Sequence, residues 1–368
     1  FSIAYCRRIG GANSGKRYKK YGSSEEKSME EGRFRKKITW FTFAFSLFVV
    51  WVHSYNAELF LGRTEAGVRV DRFEHFIGES VGQIAVPGFF MISAYLFYRN
   101  FGWGSLKRKW VSRFHSILIP YLLWNTIYYL GYVIGSRLPF VGRVMGKGLV
   151  PVNLSHFLDS ILHFRYLYVF WYLKQLILLI LLAPILYWIL KRFWSGLLFL
   201  GAVFWLVWEA ANLPLINEDA LFYYSLGAFA ALHGRQLERP WSRRRFWTGV
   251  GFVAAGIGNY YLTMRYFLPG TTVLYRALTP AGLWLMVDEK RLPELRPWME
   301  YNFFLYAVHF ALVRLLNKTA AFLAPPSVWF PIALYLVMPF LMAAVSYRGA
   351  SVLQRFAPGV WRVLNGRR

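Results

Sequence analysis

The chain has 368 residues, 57% of them hydrophobic and 20% aromatic, and only 17% charged, against roughly 25% in soluble globular domains. That balance argues against an ordinary soluble fold and against a disordered chain, and points to a membrane protein. The formal charge of +25 does not imply nucleic acid, because the basic residues fall between apolar runs and no zinc-finger or RNA-binding motif accompanies them.

Residues 1–37 are polar and rich in Gly, Ser and Lys, and read as a flexible basic cytoplasmic tail. Met29 is a candidate start, which would make residues 1–28 an extension outside the native chain. The single cysteine, Cys6, cannot form an internal disulfide, and no Cys/His cluster has metal-ligand spacing, so no metal is expected. From Ile38 onward, apolar runs suited to about 30 Å of hydrocarbon follow one another. Ten are predicted, at 38–61, 81–98, 114–134, 166–190, 194–213, 220–234, 246–262, 271–287, 303–323 and 327–347. The sixth to eighth are short for a span. Lipid leaves no partner for an open backbone amide, so each must be a helix.

Alternating sides of these spans differ sharply in charge. The side holding both ends and the breaks at 99–113, 191–193, 235–245 and 288–302 carries 31 of the 43 Lys and Arg, the other side 8 and the spans 4. Both ends are therefore expected in the cytoplasm. The fold class is an all-α polytopic bundle of about ten transmembrane helices, with residues 38–347 as the membrane domain and 348–368 as a second basic cytoplasmic tail. The larger outer segments are 62–80 and 135–165, the latter with a stretch at 156–164 suited to a short surface helix.

Ionisable groups within spans are costly and become the functional candidates. His53 lies about 22 Å beyond Ile38, in the outer half of the first span. Glu209 in the fifth span and Arg314 in the ninth fall in the same half. Lys174 lies about 12 Å and Arg276 about 8 Å below the outer surface by residue count. These groups suit a polar cavity open to the outside. Imidazole titrates near neutrality, so His53 is the best general base, with Asn56 at i+3 expected on the same helix face to orient the ring or a substrate. His309, in the inner half of the ninth span, reads as a helix-packing histidine. The break after the second span holds Arg99, Lys107, Arg108, Lys109 and Arg113, which suit a phosphorylated donor as well as they suit a positive-inside loop. No phosphate-binding GxxxxGK[ST] loop, dinucleotide fingerprint or serine nucleophile elbow is present.

Six segments in order, VVWVHSYN, VPGFFMISAYLFYRN, RFHSILIPYLLW, FWYLKQLILLILLAPIL, FYYSLGAFAA and NFFLYAVHFALV, resemble the membrane-bound acyltransferase family 3 across about residues 38–347. The resemblance implies transfer of an acyl group, often acetyl, from a cytoplasmic acyl-CoA to a hydroxyl of a cell-surface or lipid-linked carbohydrate. It implies a catalytic His53, basic residues before the third helix at Arg108 and Arg113, and substrate-binding positions at Trp171 and Lys174. His309 matches the family's ninth-helix histidine, with no role assigned. Where the family often has Arg or Lys eleven residues before the first-helix histidine, this chain has Thr42.

The expectation is thus a multi-pass O-acyltransferase of the bacterial cytoplasmic membrane. His53 acts as base, either directly or through an acyl intermediate, and Lys174 or Arg314 stabilises the oxyanion. Arg99, Lys107, Arg108 and Arg113 hold the acyl-CoA, while Asn56, Trp171, Lys174, Glu209, Arg276 and Arg314 line the acceptor side. Its partners are a glycan acceptor and the lipid bilayer. The alternative is a transporter or flippase of a glycan or lipid precursor.

Overall fold

A computed structural model describes residues 24–366 apart from 235 and 324–326. Among the described residues the chain is helical and has no strand. In order these are α1 (Ser24–Val52), α2 (Ala57–Leu61), α3 (Glu65–Ser80), α4 (Ala85–Tyr98), α5 (Leu106–Arg113), α6 (Ile119–Arg137), α7 (Pro139–Met145), α8 (Leu154–Leu162) and α9 (Trp171–Leu181). They continue with α10 (Ala183–Leu190), α11 (Phe193–Trp208), α12 (Glu218–His233), α13 (Arg243–Tyr266), α14 (Pro269–Met286), α15 (Asn302–Leu323), α16 (Trp329–Phe356) and α17 (Pro358–Leu364). Every span expected from sequence falls on one of these helices or on a bent pair. By length and composition, four helical stretches are long and apolar enough to cross a membrane: Ser28–Leu61, Glu65–Tyr98, Trp103–Arg137 and Trp329–Phe356. The bent pair α9–α10 makes a fifth. Several remaining helices are shorter or carry more charge than that measure allows, so the expected ten is not reached by it.

Large apolar side chains point outward all around the bundle, including Trp194, Leu198, Phe322 and Phe340. Such a surface suits hydrocarbon rather than water. Four ion pairs between distant segments meet at one end. There Arg99 bridges Glu31 at 2.5 Å and Glu238 at 2.9 Å, Lys36 meets Glu294 at 2.5 Å, and Lys37 lies 3.7 Å from Glu289. The start of α1 and the breaks at 99, 238 and 288–296 therefore meet at that end. The α17 helix joins it by stacking Trp361 on Tyr301 and Phe304.

Three helices depart from straight spans, each for a local reason. Pro184 has no amide to bond back with, and the fourth span bends by 64° at Leu182. Neighbouring side chains take up carbonyls beside the bend: Trp110 Nε1 donates to Ile180 at 2.9 Å and the Tyr98 hydroxyl to Ala183 at 3.2 Å. Between α5 and α6, residues Phe114–Leu118 form one turn of π-helix just before Pro120, a local widening that re-aims the side chains around it. The first span does not run straight to residue 61, because α1 ends at Val52 and restarts as α2 after a break at 53–56.

Close helix contacts rest on small residues, as they do where lipid removes the hydrophobic drive between helices. Gly249 of α13 and Gly282 of α14 bring two backbones together, and Gly227 of α12 sits against the backbone of Met91 in α4, where an added Cβ would lie 2.3 Å from the carbonyl oxygen. Replacing Gly227 by Ala is expected to cost about 1–3 kcal/mol through overpacking. Intrinsic tryptophan fluorescence on heating the purified protein checks it, with a lowered melting temperature as the expected result.

Candidate active site

The break in α1 creates the site. Once the helix stops at Val52, the amides of residues 53–57 lack the usual partners, and in a buried region each must find another. Local bonds satisfy the first ones, His53 N to Val50 at 3.1 Å and Ser54 N to Trp51 at 3.0 Å. The carboxylate of Glu74, fully buried on α3, takes the next two: one oxygen accepts from the Asn56 amide at 2.8 Å and the Ala57 amide at 3.2 Å. Asn317 of α15 donates to the Ser54 carbonyl at 3.4 Å, and the Tyr335 hydroxyl of α16 holds the Glu74 carbonyl at 2.9 Å. Three helices thus fix the break.

His53 stands at the first residue of this break. Its ring lies 5.4 Å from that of His309, 5.5 Å from Phe310 and 6.2 Å from Tyr168, centroid to centroid. His309 is fully buried on α15. Its Nδ1 faces the carbonyls of Tyr306 at 2.8 Å and Leu305 at 3.2 Å, while Nε2 has no hydrogen-bond partner. Carbonyls only accept, so Nδ1 carries the hydrogen and Nε2 keeps its lone pair. The pair therefore offers at least one unengaged basic nitrogen within a buried aromatic enclosure.

From His309 a line of tyrosines runs toward the basic loop. Tyr306 lies 6.0 Å from the His309 ring and 6.1 Å from Tyr172, whose hydroxyl is 3.2 Å from Ser93 Oγ. Tyr172 and Tyr224 lie near the guanidinium of Arg113. The hydroxyls of Tyr223, Tyr224 and Ser225 are buried without partners. Among the described residues no carboxylate lies within ion-pair distance of Arg113. A guanidinium with no carboxylate partner, beside the unpartnered Tyr224 hydroxyl, has donors that an anionic ligand needs.

The other candidates are arranged differently from the sequence expectation. Asn56 does not share a helix face with His53, because the helical register is lost at the break. Its side chain is buried and donates to the Pro331 carbonyl at 3.3 Å. Trp171 begins α9 and packs its ring 6.3 Å from Phe90. Lys174 donates to the Leu162 carbonyl at 2.9 Å and lies over the Phe164 ring. Glu209 is exposed at the end of α11. Arg276 is 3.7 Å from Glu79, and Arg314 is exposed over Phe310 at 5.5 Å. None of these contacts His53 directly, although Arg314 shares Phe310 with it. Of the donor-side residues, Lys107 and Arg108 are exposed, Lys109 donates to the Phe97 carbonyl at 2.6 Å, and Arg99 is committed to Glu31 and Glu238. Arg113 is half-buried and, unlike Arg99 and Lys109, has no carboxylate or carbonyl partner among the described residues.

Three contributors escaped the sequence reading. Glu74 fell within an outer segment read as a loop, and nothing in EHFIGES marks one acid as buried. Tyr306 and Tyr172 looked like ordinary aromatic packing. At the protein surface, Asp159 of α8 accepts from Arg165 at 2.9 Å and His163 at 2.8 Å. The hydrogen bond from Arg165, and then that from His163, hold its carboxyl below the usual range. This small surface contribution is present at neutral pH and fades as pH falls through the depressed value.

A family model described as an acyltransferase domain matches residues 38–348, nearly the whole described membrane region. The chain belongs to the acyltransferase-3 family. It is an O-acyltransferase, and the match takes in His53, His309 and Arg113 together. It is 25% identical over 359 residues to the succinoglycan biosynthesis protein ExoH of Rhizobium meliloti (strain 1021), covering 87% of this chain and 89% of that protein. No solved structure matches the chain.

Glu74 offers a test of the framework that the family membership does not supply. Glu74→Ala leaves two buried amides without acceptors, at about 1–3 kcal/mol each. Glu74→Gln keeps one carbonyl oxygen in place. Thermal denaturation and acyl-transfer kinetics together are expected to show loss of stability and kcat in the alanine variant, with most of both retained in the glutamine variant.

Proposed function

We propose that this enzyme moves an acyl group, acetyl in the simplest case, from cytoplasmic acyl-CoA to a hydroxyl of a cell-surface or lipid-linked carbohydrate at the bacterial cytoplasmic membrane. The membrane domain is residues 38–347, flanked by basic cytoplasmic segments 1–37 and 348–368. The carbohydrate acceptor is supported by the similarity to a protein of succinoglycan biosynthesis. The observation that carries the mechanism is the His53–His309 pair, 5.4 Å apart at the broken end of α1.

In this reading His53 takes the proton of the acceptor hydroxyl as its oxygen attacks the thioester carbon. The tetrahedral oxyanion then collapses, the carbon–sulfur bond breaks, and the imidazolium returns its proton to the departing CoA sulfur. His309, with its hydrogen fixed on Nδ1, presents an acceptor that holds the acceptor hydroxyl or the His53 ring in line. Arg113 receives the donor from the cytoplasmic side, where its unpaired guanidinium suits the anionic CoA moiety or the developing oxyanion. Arg99, Lys107 and Arg108 lie at or near the donor's entry. Lys174, Glu209, Arg276 and Arg314, with Trp171, belong to the outer rim where the carbohydrate arrives, and Asn56 acts through the break rather than on the substrate. The line Arg113, Tyr172, Tyr306, His309, His53 supports a polar passage through which the two substrates meet.

Purified protein in nanodiscs, supplied with radiolabelled acetyl-CoA and a glycan acceptor, tests this reading. His53→Ala is expected to lower kcat by about 10²- to 10⁴-fold, and Arg113→Ala to raise KM for acyl-CoA. Undiminished transfer by His53→Ala removes the base from the mechanism. Glycan movement into sealed vesicles without acylation returns the transporter reading.

A further inference from the structure

A cavity of about 990 Å³ lies between α1, α4, α12, α13 and α14, at the upper end of the size range of ligand pockets. None of its lining residues touches the rings around His53. Along α1 it extends from Phe34 to Phe45, eleven residues or about 16 Å of helix. That is close to half of the roughly 30 Å hydrocarbon core, one leaflet.

The two ends of the cavity differ in chemistry. At the end where the ion pairs gather, its mouth carries Arg239, Arg244 and Arg245, the last two in the first turn of α13. Among the acids of that region, Glu238 is bridged by Arg99, while Glu289 accepts from the Trp241 amide, lies beside Lys37 and attracts Arg245, so basic side chains outnumber the acids at this mouth. Deeper in, the lining is Phe45, Gly88, Ile92, Phe252, Ala277 and Pro280, with no polar side chain among them. A CoA arm carries amides along its length that would go unpaired there. A hydrocarbon chain requires no partner.

We propose that this cavity binds one anionic glycerophospholipid of the cytoplasmic leaflet, its phosphate on Arg239, Arg244 and Arg245 and one acyl chain in the slot between α1, α4 and α14. The occupant is distinct from both substrates of the transfer reaction. Charge selects the headgroup, the depth of one leaflet selects the tail, and the absence of deep polar groups sets the lipid apart from an acyl-CoA.

Native mass spectrometry of the full chain with phosphatidylglycerol or phosphatidylcholine tests the assignment without reference to acyl transfer. The expected result is preferential retention of phosphatidylglycerol, weakened on the order of a hundredfold when the three arginines become glutamine, since each cationic side chain contributes about fivefold. Ala281→Phe, which narrows the slot and leaves the charges intact, is expected to reduce retention as well, and it stands alone if the triple variant does not fold. Equal retention of the two lipids, unchanged retention in both variants, or displacement of the lipid by CoA mole for mole would each overturn the proposal.

Discussion

The structure depends on one constraint: a transmembrane helix has been broken at His53, and a buried carboxylate receives the backbone amides that the break exposes. In hydrocarbon-like surroundings an open amide costs several kcal/mol, so the interruption survives only because α3, α15 and α16 supply partners for it. Glu74 therefore fixes where helix 1 stops. Where it stops decides that an imidazole stands at a helix end, free of its own backbone ladder, facing a second imidazole on α15. Of the three helices that hold the break, α3 follows it closely while α15 and α16 come from the far end of the chain, so the site needs both ends of the bundle.

The same economy appears at the other irregularities. The bend at Leu182 is accepted because Trp110 and Tyr98 reach across to the carbonyls beside it. The π-turn before Pro120 directly follows Arg113, the basic residue proposed to receive the donor. Two of the three departures from regular helix, the break at His53 and the π-turn after Arg113, sit beside a polar side chain that the proposed chemistry uses. Strictly regular helices would have satisfied their own backbones and left fewer such groups inside.

Much of the architecture was legible because lipid imposes simple rules. Runs from Ile38 to 347 showed where helices lie, and the uneven distribution of Lys and Arg matched the end at which Glu31, Arg99, Glu238 and Glu289 meet. The sequence expectation centred on His53, which the structure places at the break in α1 with its ring 5.4 Å from that of His309. What sequence could not carry was direction. The helical i+3 relation between His53 and Asn56 presumed a continuous helix, and the break removed it. Depth placed Lys174, Glu209, Arg276 and Arg314 together, yet depth says nothing about azimuth, and Lys174, Arg276 and Arg314 take separate partners while Glu209 is exposed. His309 looked like a packing residue because nothing in NFFLYAVHFALV marks which ring faces another helix. Glu74 was invisible for the opposite reason, being an acid in a polar outer segment whose burial depends on α16 closing over it.

The glycine seam between α13 and α14 has a mechanical consequence. With Gly249 and Gly282 in backbone contact, the two helices behave as a single stiff outrigger, and α13 reaches the rest of the bundle chiefly through α14. A stiff outrigger answers to its surroundings by tilting, and hydrophobic mismatch with the bilayer supplies the torque. Because α14 also walls the cavity against α1 and α4, a bilayer thinner or thicker than this helix pair would strain that wall first.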